Sequence, residues 1–342
     1  MTEHFIALDV HCAFSEMAVV TKGGKLVHRD RCETSIPALV ERLKAVRRPR
    51  RLTFEEGPLA DWLARELRSH VDELVVCEPR RNHWIAKDGD KDDPVDSFKL
   101  AELYRGGYLK PVHQAGSLDR SLLKQQVLLY HDRVRERVRQ GNQLVGLCRR
   151  HGVFVKAHDL LEDEEWSRCL NRLPAGSLLR SGWESVREAY LLLLTREEAL
   201  RATLVAAARN IEPVRRFSAL PGIGWIRSVT FYAMVDTPHR FPSKAALWRY
   251  AGIGLERRHS GRGPVHTRLS RQGHRKLKDV LLGAAKSAIA QSDNPFAAKY
   301  QTWREKGLHP ANARRNVARA LAATLWSLWK TGQAYEPEVS AK

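Results

Sequence analysis

"FIALDVHCAFSEMAVVTKGGKLVHRD", residues 5–30, decides how the amino-terminal part of the chain folds. Residues 5–10 form a short apolar run carrying an acid, Asp9, near its end, and read as a buried strand. Residues 16–21 and 26–30 are two more strand-like runs. The "KGGK" between them supplies the glycine turn that makes them a hairpin. The pattern then alternates. A helix fits 35–47, with Pro37 near its first turn; 51–56 reads as a strand, 57–70 as a helix and 73–79 as a strand. After a basic loop, another helix opens at Asp93. The order β-β-β-α-β-α-β-α predicts a mixed sheet flanked by helices, an α/β domain.

That order distributes acids in a particular way. Asp9 lies late on the first strand, and Glu55 or Glu56 ends the strand at 51–56. "KDDPVDSFKLAEL" (91–103) adds Asp93 and, one turn on and sharing its face, Asp96. An aspartate before a proline is a good helix cap, which accounts for Asp93 but not for Asp96. In such a sheet these positions can converge at one edge. Asp9, Glu55, Asp93 and Asp96 then have the oxygen donors that one or two Mg²⁺ ions require. Two ions roughly 4 Å apart can stabilise the attacking and leaving oxygens of a phosphoryl transfer. Four carboxylates gathered without a cation would repel one another. Taken singly, each acid reads as a solvated or capping residue.

The chain has 342 residues, room for two or three domains, and its 43% hydrophobic and 28% charged content is that of a globular protein. No apolar run approaches ~20 residues, so no membrane span is expected. The early acid and strand argue against a secretory signal. The five cysteines are scattered and form no Cys-x-x-Cys, which reads as reduced thiols in the cytoplasm and excludes a disulfide framework or a zinc site. The balance of 58 Lys+Arg against 39 Asp+Glu gives a net charge of +19, which attracts phosphate backbones and makes nucleic acid the expected partner.

Residues 117–149 keep a helical spacing through Leu123, Val127, Tyr130, Val134 and Val138, with interruptions expected at Gly141 and Gly146. A less regular stretch, 150–182, follows. Residues 183–211 then show a heptad, with Val186, Leu193, Leu200 and Ala207 on one seam position and Tyr190, Glu197, Leu204 and Ile211 on the other. This predicts a long helix packed in coiled-coil style, either joining protomers or closing a hairpin with 117–149.

Beyond Pro213 the texture changes. "LPGIG" (220–224) opens an apolar helix, and the N–H groups around Gly222 and Gly224 resemble half of a helix-hairpin-helix phosphate site; the plainer reading is a tight turn. "RRHSGRGPVHTRLSRQGHRKLK" (257–278) carries Arg257, Arg258, Arg262, Arg268, Arg271, Arg275, Lys276 and Lys278 without one acid. Ser260 lies in this positive field, where a hydroxyl can be activated as a nucleophile. Ser270 and Ser243 pose the same question, and spacing does not choose among them. His259, His266 and His274 read as phosphate contacts, whereas Trp225, Trp248, Trp326 and Trp329 read as core. The last helices fall around 274–291 and 311–331.

Taken together, "ALDVH" (7–11), "FEEGP" (54–58), "KDDPVDS" (91–97), "LPGIG" (220–224), "RF" (240–241), "YAGI" (250–253), "HSG" (259–261), "LSRQGHRKLK" (269–278) and "KTGQAYEP" (330–337) resemble, in order, the motifs of the IS110 family of insertion-sequence transposases. Asp92 and Ser97 depart from the Thr and Ala more usual in that family. The resemblance favours Glu55 over Glu56, and Asp93 with Asp96 over Asp92. It implies a RuvC-like domain of ribonuclease H fold at 1–115, a helical coiled-coil oligomerisation region at 116–212, a mostly α-helical transposase domain at 213–335 and a tail at 336–342. It further implies a DEDD set binding one or two Mg²⁺, no organic cofactor, and a serine nucleophile at Ser260 with Ser270 in reserve. The expected partners are donor and target DNA, a structured noncoding guide (bridge) RNA, and further copies of the chain as a dimer or tetramer. The expected setting is the bacterial cytoplasm, with nucleoid association during activity. Two rival expectations are a metal-dependent junction nuclease that uses water, and a non-catalytic nucleic-acid-binding scaffold.

Overall fold

Strands β1 (His4–Val10), β2 (Phe14–Thr21), β3 (Leu26–Glu33), β4 (Arg50–Glu55) and β5 (Glu73–Cys77) form one sheet in the order β3-β2-β1-β4-β5. The computed structural model describes residues 3–79, 93–258, 266–269, 273–291 and 293–336. The β1–β2 and β2–β3 pairs are antiparallel, and the expected hairpin closes with Gly24 at φ +83°, a conformation glycine adopts without strain. The β1–β4 and β4–β5 pairs are parallel, because the chain crosses over through helices α1 (Ile36–Ala45) and α2 (Ala60–Leu67). The mixed sheet predicted from the element order is therefore present.

Strand alternation sorts this unit into three layers. Ile6, Leu8, Met17, Val19, Leu52 and Phe54 point to one face and pack with Leu39, Leu43, Leu63 and Leu67 of α1 and α2. Phe5, Ala7 and Val20 point to the other and pack with Leu100, Ala101 and Tyr104 of α3 (Asp93–Arg105). Fully burying one such Leu or Phe contributes roughly 1.5–3 kcal/mol, so a one-residue register slip, which turns a whole face outward, is strongly disfavoured.

The chain divides into two units, Met1–Ser117 and Leu118–Lys342. In the second, α4 (Leu118–Arg150) runs unbroken through Gly141 and Gly146, where interruptions were expected. Gly141 has a packing reason instead: a Cβ there would lie 3.0 Å from the Tyr190 ring and 3.1 Å from the Ala157 side chain. Helix α6 (Leu178–Arg209) packs antiparallel to α4, with Leu204 and Ala208 near Val127 and Tyr130 at one end, and Trp183 and Tyr190 near Leu144 and Cys148 at the other. The short helix α5 (Asp163–Leu170) completes the second of these clusters through Trp166 and Cys169. Glu197, the one acid of the heptad, pairs with Arg137 of α4. Ala207 is exposed, and the remaining apolar seam residues of α6 are wholly or partly buried within the chain.

Helices α7 (Glu212–Ser218), α8 (Trp225–Val235), α9 (Lys244–Tyr250), α10 (Arg275–Ala290), α11 (Pro295–Glu305) and α12 (Pro310–Thr331) complete the unit, with a two-stranded ribbon of β6 (Leu255–Arg258) and β7 (His266–Leu269). Phe217, Phe231, Leu247, Leu281, Leu321 and Leu325 lie in one core with Val127 and Leu204. Trp225, Trp248, Trp326 and Trp329 pack against that core, as their spacing predicted. The buried sides of two indoles find acceptors: Trp248 Nε1 donates to the Arg319 carbonyl at 2.9 Å and Trp326 Nε1 to that of Pro238 at 2.7 Å. No helix among the described residues is long and apolar enough to cross a membrane.

Candidate active site and nucleic-acid interface

Parallel pairing brings two of the four expected acids to neighbouring strand ends. The β1–β4 register runs to Leu8↔Phe54, and Asp9 and Glu55 are the next residue on each strand. Alternation puts Asp9 with Ala7, and Glu55 with Thr53, on the face that α3 covers. Glu55 is half-buried whereas its neighbour Glu56 is exposed. His11 Nε2 lies 3.3 Å from Asp9 Oδ2, and its ring stacks on Phe14 at 4.7 Å.

Helix α3 packs across β1 and β2 and begins at Asp93, with Asp96 in its first turn. Asp96 Oδ1 is buried and has no hydrogen-bond partner. A buried carboxylate oxygen without a donor carries a desolvation penalty that a cation would offset. The donor set is all oxygen, which suits a hard divalent ion. Among the described residues, no three His, Cys, Asp or Glu side chains are gathered tightly enough to hold an ion. The Asp93 side chain lies outside the described residues, as does the chain at 80–92.

A fifth acid joins this edge that sequence reasoning missed. Glu16 on β2 faces Asp9 directly across the ladder and is only 9% exposed. Arg31, opposite it on β3, holds Glu16 with Nε 3.4 Å from Oε1 while its guanidinium lies over the Phe14 ring. The signal was present: alternation in "SEMAVV" puts an acid at an inward-facing position, where an apolar residue is the norm.

In the second unit, the β6–β7 ribbon brackets residues 259–265. Ser260, Arg262, Ser270 and Arg271, and the side chains of Arg257 and Arg258, lie outside the described residues. Hydrogen bonds anchor the ribbon's base. The His274 amide donates to the Tyr250 carbonyl at 2.7 Å, and Arg319 Nε donates to that of Ile253 at 2.7 Å. Gly252, at φ +67°, and Gly273 pack backbone to backbone between these bonds.

Several expected contacts have structural occupations. Ser243 caps α9, its Oγ accepting from the Ala246 amide at 3.3 Å. His274 caps α10, its Nδ1 accepting from the Leu277 amide at 3.3 Å. Burial, with Lys124 and Arg240 nearby, pushes its imidazole down to about 4, so it stays neutral and able to accept. Gly222, at φ +76°, has its backbone pressed on α10: a Cβ there would lie 2.3 Å from the Ala284 carbonyl oxygen. The tight-turn reading of "LPGIG" thus has a steric cause, and Arg227 reinforces it by donating to the Gly222 carbonyl at 2.6 Å and to Ser287 Oγ at 2.9 Å. Gly224 is exposed at the start of α8. Arg268 and Arg275 are exposed, Arg268 lying 3.7 Å from Glu256 across the ribbon. Lys276 is partly buried, and burial, then Arg135, lowers its ammonium. Lys278 lays its stem along Gly252.

Two family models match the chain. One, described as a transposase of the IS110 type with a DEDD acid set, matches residues 6–151; the other, described as the transposase IS116/IS110/IS902 family, matches residues 214–301. Among curated proteins, the transposase for insertion sequence element IS1111A of Coxiella burnetii is 26% identical over 156 residues, 43% of this chain and 42% of that protein. An uncharacterized 43.6 kDa protein of insertion element IS110 from Streptomyces coelicolor is 26% identical over 134 residues, 39% of this chain and 32% of that protein. The chain thus spans less than half the length of either relative in these matches.

Proposed function

The chain belongs to the IS110 family of transposases, and on that premise we propose that it cuts and rejoins DNA with a divalent cation in its amino-terminal unit and a serine nucleophile in its second. One observation carries the metal half of this reading. Asp9 and Glu55 end adjoining parallel strands on the face covered by α3, and the first turn of that helix holds the orphaned, buried Oδ1 of Asp96. Asp9, Glu55, Asp93 and Asp96 would hold the ion, Mg²⁺ by its preference for oxygen donors. When bound, it supplies charge stabilisation to the oxygens of the reacting phosphate.

The covalent half runs through Ser260, with Ser270 in reserve. The serine Oγ attacks a backbone phosphorus, an Oγ–P bond forms, and the P–O bond to the departing deoxyribose breaks, its oxygen taking up a proton. A hydroxyl from the incoming strand reverses the step and frees the serine. Arg257, Arg258, Arg262, Arg268, Arg271, Arg275, Lys276 and Lys278 grip phosphates around it, a role supported by their acid-free stretch. Family membership supports DNA, donor and target, as the partner. A bridge RNA that reads sequence by base pairing, and assembly into dimers or tetramers, complete the proposal on the resemblance of the motifs between 7 and 337.

A denaturing gel tests the proposal. Wild type incubated with substrate DNA and Mg²⁺ should leave a covalent protein–DNA band that Ser260→Ala abolishes and Ser270→Ala keeps. Undiminished strand cleavage by both serine variants would replace the serine by water and make the protein a nuclease.

A further inference from the structure

Charge is neutralised unevenly over the second unit. On α4 to α7 the arginines are mostly answered by carboxylates: Arg120 by Asp236, Arg137 by Glu197, Arg187 by Asp163, Arg201 by Glu198 and Arg216 by Glu212. Helices α9 and α12 differ. They contain no Asp or Glu, and they carry Lys244, Arg249, Arg314, Arg315, Arg319 and Lys330. Among the described residues, none of these six is in an ion pair.

Their partners are neutral groups. Arg319 donates to the Ile253 carbonyl and to Asn316 Oδ1 at 2.6 Å, and Arg315 to Asn312 Oδ1 at 2.8 Å. Lys244 and Lys330 lie over the rings of Trp248 and Trp326, at 5.9 and 4.2 Å. The two helices are one surface: Trp248 of α9 bonds to the Arg319 carbonyl, and the Ile253–Gly254 turn fits between Arg319 and Arg249, Gly254 leaving no room for a Cβ against Arg249. Arg319 is partly buried, with another cation, Arg315, one turn away. Partly buried, mutually repelling guanidinium groups that spend only part of their donors on amides and carbonyls are what an anion with several acceptor oxygens would satisfy.

We propose that the α9–α12 face, through Arg249, Arg315 and Arg319, is a second nucleic-acid contact that binds the phosphodiester backbone without reading bases. It rests on the proposed function, and it adds residues outside the 257–278 stretch to the bound surface. The occupant is duplex DNA, the substrate a transposase must hold; folded RNA offers the same phosphate chemistry and is the competing outcome of the test.

The test uses the full chain with a labelled mixed-sequence DNA duplex and a labelled RNA hairpin, each titrated over a series of salt concentrations. The double variant Arg249→Gln/Arg315→Gln should melt as wild type does and flatten the slope of log K against log salt by about one for each residue changed. A flattened slope with the duplex assigns the face to DNA, and a change with the hairpin alone overturns that assignment. Arg201→Gln, on α6 and ion-paired, should leave both slopes unchanged. Equal slopes for wild type and the double variant, or an equal loss with Arg201→Gln, overturn the inference. If wild type binds neither probe, the proposed function itself fails.

Discussion

Gly273 lies so close to Gly252 that a Cβ on Gly273 would stand 2.4 Å from the Cα of Gly252. No side chain can occupy that gap, so Gly273→Ala must lift the base of the β6–β7 ribbon away from α9. Overpacking of this kind costs typically 1–3 kcal/mol. We expect a lower Tm with the helical core still folded, and a larger loss of the covalent DNA–protein band than of DNA affinity. Melting curves, binding titrations and the gel check it together.

Asp96 gives a prediction of opposite sign for stability. In metal-free buffer its buried Oδ1 has no donor, so Asp96→Asn should stabilise the protein by about 1 kcal/mol. Mg²⁺ or Mn²⁺ should raise the Tm of wild type and not of the variant, since ligand binding adds to folded-state stability. Identical metal-induced shifts in the two proteins would remove Asp96 from the site.

Two histidines set a pH dependence. Burial, followed by Lys276, pushes the His131 imidazole down to about 4, where its Nε2 lies 2.9 Å from Thr230 Oγ1. His274 is pushed down to about 4 in the same way, from an ordinary value of 6.5. Between those limits the unfolded chain takes up protons that the folded one does not, so stability is full above about 6.5 and falls as the pH drops towards about 4. Each group contributes at most about 3 kcal/mol. Denaturant melts across this range should show the loss, and His274→Asn, which can still cap α10 but does not titrate, should flatten part of it.

The Arg137–Glu197 pair joins α4 to α6 with both side chains mostly shielded from water. Glu197→Ala leaves a shielded guanidinium without its partner and should cost about 2–3 kcal/mol. Arg137→Met with Glu197→Leu removes both charges and should recover most of it. Denaturant unfolding of the four proteins of this cycle measures the coupling.

Much of the amino-terminal fold was legible because its signals are local. Short apolar runs such as 5–10, and the glycines at 23–24, mark strands and a turn without knowledge of the rest of the chain. The convergence of Asp9 and Glu55 followed from element order, because parallel neighbours end on the same side. The inward position of Glu16 was legible in the alternation of 16–20, but its place opposite Asp9 was not, because only the β1–β2 register shows it. Gly141 misled for a related reason. A glycine within a helical pattern weakens it locally, whereas here its missing side chain makes room for Tyr190, 49 positions further along the sequence. Gly222 and Gly273 likewise depend on partners distant in sequence or beyond the local turn. The charge of α9 and α12 was visible in composition, but its lack of neutralising carboxylates emerged only once the neighbours were known.

Helices α4 and α6 run through two separate apolar clusters, one with Val127 and Leu204 and one with Cys148, Trp166 and Trp183. The far end of the pair therefore has its own source of cohesion and does not borrow it from the body of the unit. Such a tip should tolerate shortening or lengthening by whole helical turns while the body keeps its fold, which makes this pair a natural place for an engineer to attach new cargo.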